Sequence, residues 1–439
     1  MEKTRQDVYA EGLARLISCP TVSSEDGKEK NKFYEFREVL KNQFPNVFAT
    51  VELTDFDGST LLKWKGNGEK LPVMFMNHSD VVEVNGKWQH GAFDGTIEDG
   101  KIWGRGTLDT KGGLYCMMQA AEELIKEGFT PQGDIYLESS CNEETDGTGA
   151  LAISTALKEQ GVKFDYILDE GGMIVTEPIP KSKGDFAMVG VGEKGLATLN
   201  FVATSHGGHG ATPFKNSPLV RLGKFIAKVD KSKIFKVEMS DTFCKMFKVI
   251  AKDMKGFSGV ALRHPKLFKP VLKRLIPKMS DLAGAMMKTT VAFTMAKGSK
   301  SDNVIPERAV VTADVRVAHH QGFDQSVKVL TDLAKRFDVG VEVVFKSVES
   351  RLCDYHTKEF KGLENSIKQI FGDISVCPYV LTGASDLRFM SDLSENCYRF
   401  TPFKVNDKQL KSIHGKDENV DVTCLEPAVD FYKLLMKGV

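Results

Sequence analysis

Alternating helix and strand signals through the first half of the chain predict an α/β protein, and a βαββαβ series in the middle predicts a second, smaller unit inserted into it. The first prediction rests on short apolar runs at residues 71–76, 135–137 and 166–168, each ending in polar residues. Runs this short, set between helical patterns, read as buried strands of an α/β sheet. Residues 7–17 and 31–42 carry helical spacing. The clearest helix is GGLYCMMQAAEELIKEG, with glycines at its start and Gly128 as its stop. The second prediction rests on strands at residues 197–203, 290–295, 308–317 and 341–348, with helices at 218–229 and 325–337.

A chain of 439 residues is too long for one ordinary domain. The pattern divides it into a catalytic part over residues 1–195, the βαββαβ unit over 196–350, and a return to the first part over 351–439. Residues 231–288 interrupt the small unit with an excess of basic side chains. Without aromatic interleaving this stretch reads as an inserted helical pair with a solvated basic face, not as a nucleic-acid or lipid patch.

Acidic and basic residues balance at 59 each, so net charge gives no reason to expect nucleic acid or a membrane as partner. The first twenty residues lack the apolar core of a secretory signal, and no run approaches the length of a bilayer span. The eight cysteines are scattered without a CxxC pair, which argues against a disulfide framework or a thiolate metal site. A reducing, cytoplasmic location is the expectation.

Candidate chemistry gathers just beyond three predicted strands, at the sheet edge where α/β proteins bind ligands. The first strand runs into His78 and Asp80, the second into Glu143 and Glu144, the third into Asp169 and Glu170. His78 and Asp80, two apart in extended chain, point the same way. The aspartate can bind metal or fix the histidine's tautomer. Asp109 lies in the glycine-rich turn GRGTLDTKGG, which lacks a complete GxGxxG and a Walker lysine-serine pair, so phosphate binding is poorly supported. A carboxylate held between two metals is the sharper alternative. Two adjacent glutamates need positive charge nearby, or one must stay protonated. A divalent metal resolves this, with one glutamate as ligand and the other as general base toward a metal-activated water. Nitrogen and oxygen donors suit zinc, with cobalt or manganese as alternatives.

The motifs HSDVV, GRGTLDTKGG, NEETDGTGA, LDEGG, GHGATP, NVIPE, DVR, TGASD and SIHGKDE resemble, in order, the dizinc metallopeptidase family of aminoacylases, carboxypeptidase S and carboxypeptidase G. LDEGG and the long insertion look most like the carboxypeptidase S and N-acyl-amino-acid hydrolase branch. The resemblance implies a zinc-peptidase-like catalytic domain with a central mixed sheet, and a ferredoxin-like lid or dimerisation domain. It implies two zinc ions and hydrolysis of a small peptide or an N-acyl amino acid, with a deacylase or aminopeptidase of a biosynthetic intermediate as the alternative. In this reading His78, Asp109, Glu144 and His414 are ligands, Asp80 orients His78, and Glu143 is the base. Asp169 and Glu170 compete for the remaining ligand place. His209 of GHGATP would polarise the substrate carbonyl, often from a partner subunit, which implies a homodimer through the lid. Asn303, Arg316, Gly383, Ser385 and Arg388 resemble substrate-contacting positions. For Arg316 and Arg388 a structural ion pair competes with that role.

Overall fold

The three apolar runs become Val73–Met76, Ile135–Ser139 and Ile167–Asp169, the parallel centre of a ten-stranded mixed sheet. Every residue of Val73–Met76 is buried, as a parallel strand covered on both faces requires. Beyond Ile135–Ser139 lie the antiparallel strands Ser59–Trp64 and Glu52–Phe56. On the other side Cys397–Arg399 pairs in parallel with Ile167–Asp169, and Asp185–Glu193 follows. The structure is a computed structural model that describes residues 3–24 and 29–439.

Helix Arg5–Ile17 starts at a capping box in which Thr4 and Asp7 satisfy each other's backbone N–H groups. It packs on Lys111–Lys126 and Leu425–Lys437, joining Leu13, Leu16, Tyr115 and Phe431 in the main core. Gly128 stands just past the end of Lys111–Lys126 at φ +79°, the left-handed backbone that glycine adopts without a Cβ penalty.

The βαββαβ order is present as Gly195–Thr204, Pro218–Lys231, Thr290–Lys297, Arg308–Val317, Phe323–Lys335 and Gly340–Lys346. Gly195–Thr204 and Arg308–Val317 form the centre of an antiparallel four-stranded sheet, flanked by the other two strands. That is the ferredoxin-like strand order. Leu199, Phe201, Phe225, Val311 and Leu330 fill its core.

Residues 231–288 depart from the expected helical pair. They form four helices, Asp241–Ile250, Gly256–Arg263, Lys269–Met279 and Asp281–Met286. Phe243, Phe247 and Ile276 pack against Phe186, Cys377 and Tyr379 of the large sheet. The basic composition marked a solvated face but gave no neighbour for the opposite one. Among the described residues no helix is long and apolar enough to cross a membrane.

Candidate metal centre

The carboxyl ends of the three central strands converge on the loop carrying Asp109. Thr110 ties that loop to the first strand end, because its hydroxyl accepts the His78 N–H at 3.1 Å and donates to the His78 carbonyl at 3.1 Å. His78 is buried, with Nδ1 2.9 Å from the Asp80 carbonyl oxygen and 3.4 Å from its carboxylate. Only acceptors face Nδ1, so it carries the hydrogen, and Nε2 lies 3.0 Å from Asp109 Oδ1. The fully buried Asp80 carboxylate also accepts the backbone N–H groups of Glu143 and Glu144, each at 3.1 Å. One aspartate thus orients the histidine and fixes the loop bearing both glutamates.

His414 reaches the same point from the far end of the chain. Its Nε2 lies 2.9 Å from Asp109 Oδ2 and 3.1 Å from Glu144 Oε2. His78, Asp109 and Glu144 each offer a ligand atom, and these atoms lie within 4.8 Å of one another. Glu144 Oε1 is buried without a hydrogen-bond partner, an unmet acceptor of the kind a cation satisfies. Burial pushes the carboxyls of Glu143, Glu144 and Glu170 up, and the Asp109 charge adds to this at Glu144 and Glu170. Burial also opposes ionisation of Asp109, but His414 and His78 outweigh it and hold that carboxyl below the usual range. Oxygen and imidazole donors clustered around shared negative charge fit a divalent metal such as zinc.

Asp169 and Glu170 have different surroundings. The buried Asp169 carboxylate accepts the N–H groups of Glu170 at 2.8 Å and Leu387 at 3.1 Å. Its strongest opposite charge is Arg399, so it is consumed in holding the loop. Glu170 instead lies where Asp109 is its strongest charged neighbour. Asp169 closes its strand, and Glu170 stands in the bend just after it.

The other predicted residues are spread wider. Gly383 is partly exposed, and a Cβ there would meet only Leu381, at 3.9 Å. Ser385 is fully buried, its hydroxyl donating to Glu193 at 3.1 Å and accepting from Arg399 Nε at 3.1 Å. Those bonds occupy the hydroxyl. The Arg388 guanidinium lies 3.7 Å from Glu143 and 3.7 Å from Asp386, and is buried over the Phe389 ring. Arg316 is engaged with Asp314 at 2.9 Å. His209 and Asn303 meet in the small unit, where His209 pairs with Val304 and Gly210 N–H donates to Asn303 at 2.6 Å. Among the described residues no hydrogen bond or ion pair joins either of them to the His78 cluster.

The sequence model of peptidase family M20/M25/M40 matches residues 74–438. The chain belongs to the M20 peptidase family. Across the M20 relatives it is 29% identical over 441 residues to the probable carboxypeptidase S-like 2 of Dictyostelium discoideum, covering 98% of this chain and 84% of that protein. It is 29% identical over 443 residues to human N-fatty-acyl-amino acid synthase/hydrolase PM20D1, covering 98% and 87%. The fold matches an M20 family metallo-carboxypeptidase of Sulfolobus solfataricus with TM-score 0.71 at 16% identity, over 100% of this chain and 99% of that one. It also matches the Bacillus subtilis YXEP protein, described as a dinuclear metal binding peptidase of the M20 family, with TM-score 0.59 at 14% identity, over 98% and 97%. The chain is a metal-dependent hydrolase of peptide or amide bonds.

Two residues inside M20 motifs carry structural duties that sequence reasoning passed over. Arg105 of GRGTLDTKGG and Glu418 of SIHGKDE form a buried ion pair at 2.6 Å. The second Glu418 oxygen accepts the N–H groups of Gly106 at 3.2 Å, Leu108 at 2.8 Å and Asp109 at 3.3 Å. The second Arg105 nitrogen donates to the Gly415 carbonyl at 2.7 Å. One pair therefore fixes the Asp109 loop and the backbone beside His414. The signal the sequence offered was their place in GRGTLDTKGG and SIHGKDE, two of the motifs that carry the family resemblance.

In the metal-free protein Asp109 and Glu144 push the half-exposed His414 imidazole up to about 10. This bond stabilises the metal-free fold below the ordinary histidine pKa and is lost as pH rises through about 10. A cation bound through His414 must displace that proton. Apparent metal affinity should then rise with pH, by about tenfold per unit for each proton displaced. Titration calorimetry in buffers of different ionisation enthalpy reads the release; pH-independent affinity would contradict it.

Proposed function

We propose that this chain hydrolyses the amide bond of an N-acyl amino acid or small peptide at a two-metal site, with zinc as the metal. The observation that carries the proposal is the convergence of His78, Asp109, Glu144 and His414 on one point with an unsatisfied Glu144 oxygen. His78, Asp109 and Glu170 would hold one metal, and Asp109, Glu144 and His414 the other. Bound there, the metals would supply Lewis acidity to the water and to the scissile carbonyl.

Glu143 is the general base. It takes a proton from the attacking water as the oxygen bonds the carbonyl carbon, then delivers a proton to the amine nitrogen as the carbon–nitrogen bond breaks. Asp80 holds its backbone, and Arg388 at 3.7 Å limits where its carboxylate can lie. A groove of about 1050 Å³ includes Gly171 and Tyr379, neighbours of Glu170, together with Met173, Val175, Met188 and Met286. Glu177, Lys404, Asp407, Lys408 and Asp421 also line it, so the groove joins an apolar side that suits an acyl chain to a charged side, and an N-acyl amino acid carries both features. With zinc or cobalt added, turnover of N-acyl amino acids should exceed that of dipeptides; the reverse ranking would move the reading to a dipeptidase.

His209 is exposed on the small unit, distant in chain and contacts from the metal cluster. Its place suits the carbonyl-polarising role when the unit closes as a lid or when a partner subunit supplies the residue, with Asn303 beside it. A mixture of Glu143→Ala and His209→Ala subunits should then recover activity if the residue acts across a homodimer. An inactive mixture would assign it to its own chain. Eight free thiols agree with a reducing, cytoplasmic compartment.

A further inference from the structure

We propose that the helical insertion carries a docking face for an anionic phospholipid surface. Leu267, Val271, Leu275 and Met279 recur every fourth residue, which places them on one side of helix Lys269–Met279 and the turn before it. All four are exposed, Leu267 at 76% and Met279 at 80%. Phe257, 71% exposed on the preceding helix, meets Phe268 edge to face at 5.6 Å and extends the patch. The buried stripe of the same helix, Leu272 and Ile276, faces the protein. Its apolar sector is therefore wider than the core behind it needs, and the excess points to solvent. Contiguous apolar surface of this kind marks an interaction site.

Charge decides the partner. From Lys255 to Ser280 the chain has seven lysines and arginines and no aspartate or glutamate. Composition alone read this basic stretch as a solvated face and not as a lipid patch; the exposed apolar stripe beside it is what changes that reading. Lys269 and Lys273 are held by Glu238 at 2.6 and 2.9 Å, and Lys266 by Asp241 at 3.0 Å. Lys255, Arg274 and Lys278 make no ion pair among the described residues. Arg274 and Lys278 lie next to Leu275 and Met279 on the helix surface, bordering the apolar stripe. Apolar side chains rimmed by unpaired cations match an anionic bilayer, whose acyl region takes the first and whose headgroups take the second. A protein that wraps isolated basic helices is disfavoured, because Leu272 and Ile276 pin this helix to the body of the molecule. Exposed Leu282, just past the helix, also lines the groove that includes Gly171 and Tyr379.

The test is sedimentation of the full chain with vesicles of phosphatidylcholine alone or mixed with phosphatidylserine. The double variants Leu275→Glu with Met279→Glu, and Arg274→Glu with Lys278→Glu, run alongside, each first shown by thermal melting to fold as wild type. The expected result is binding to mixed vesicles only, weakened by salt, and reduced by roughly tenfold or more in both double variants. Wild type that ignores mixed vesicles, or binding that neither variant reduces, overturns the proposal. So does a dimer in sedimentation velocity that depends on the same residues while vesicles are ignored.

Discussion

Glu143→Ala is expected to lower turnover by about 10²- to 10⁴-fold, the usual contribution of a positioned proton-transfer group, while bound metal stays at the wild-type level. The two outcomes separate because the structure gives the neighbouring glutamates different surroundings. Glu144 supplies an atom to the compact trio with His78 and Asp109 and lies 3.1 Å from His414. Glu143 is absent from that trio and is backed by Arg388. Its backbone N–H remains available to Asp80 in the alanine variant, so the loop should persist. Steady-state kinetics and metal analysis on the same preparation check this. Loss of metal together with activity would make Glu143 a ligand and reverse the assignment within the pair.

The second large effect lies outside the donor set. Glu418→Ala is expected to destabilise the fold by about 3–5 kcal/mol, the cost of leaving one member of a buried ion pair uncompensated. Here Arg105 would be the stranded charge, and the amides of Gly106, Leu108 and Asp109 would lose their acceptor. Against a typical total of about 5–15 kcal/mol, this is a large share. The denaturation midpoint should fall with little change in slope, and metal affinity should fall with it, because both Asp109 and the His414 loop lose their tether. A variant with wild-type stability but weakened metal binding would restrict Glu418 to positioning. Wild-type values of both would remove it from the account.

The central strands were legible because short continuous apolar runs, six residues at 71–76 and three each at 135–137 and 166–168, have few alternatives in an α/β chain, and each ended in the residues now found at the site. The βαββαβ unit was legible from the order of its strand-like and helix-like segments. What escaped was long-range pairing. Arg105 and Glu418 are separated by most of the chain, and a charged residue in a loop motif reads as solvated until its partner is seen. The insertion's contact with Phe186, Cys377 and Tyr379 escaped for the same reason. His414 was found only through family resemblance, since it lies in an irregular loop with φ +57° where no periodicity applies. Asp169 and Glu170 could not be told apart from residue type. Their surroundings differ: Asp169 accepts from Leu387, and Glu170 lies in the field of Asp109.

The most direct measurement is the metal content of zinc-loaded, desalted protein, wild type beside Glu144→Ala, with hydrolysis of an N-acyl amino acid recorded on both. The wild-type chain should hold about two metals, as in two-metal hydrolytic sites, with at least one lost and turnover collapsed in the variant. Full occupancy with normal turnover in Glu144→Ala would contradict it.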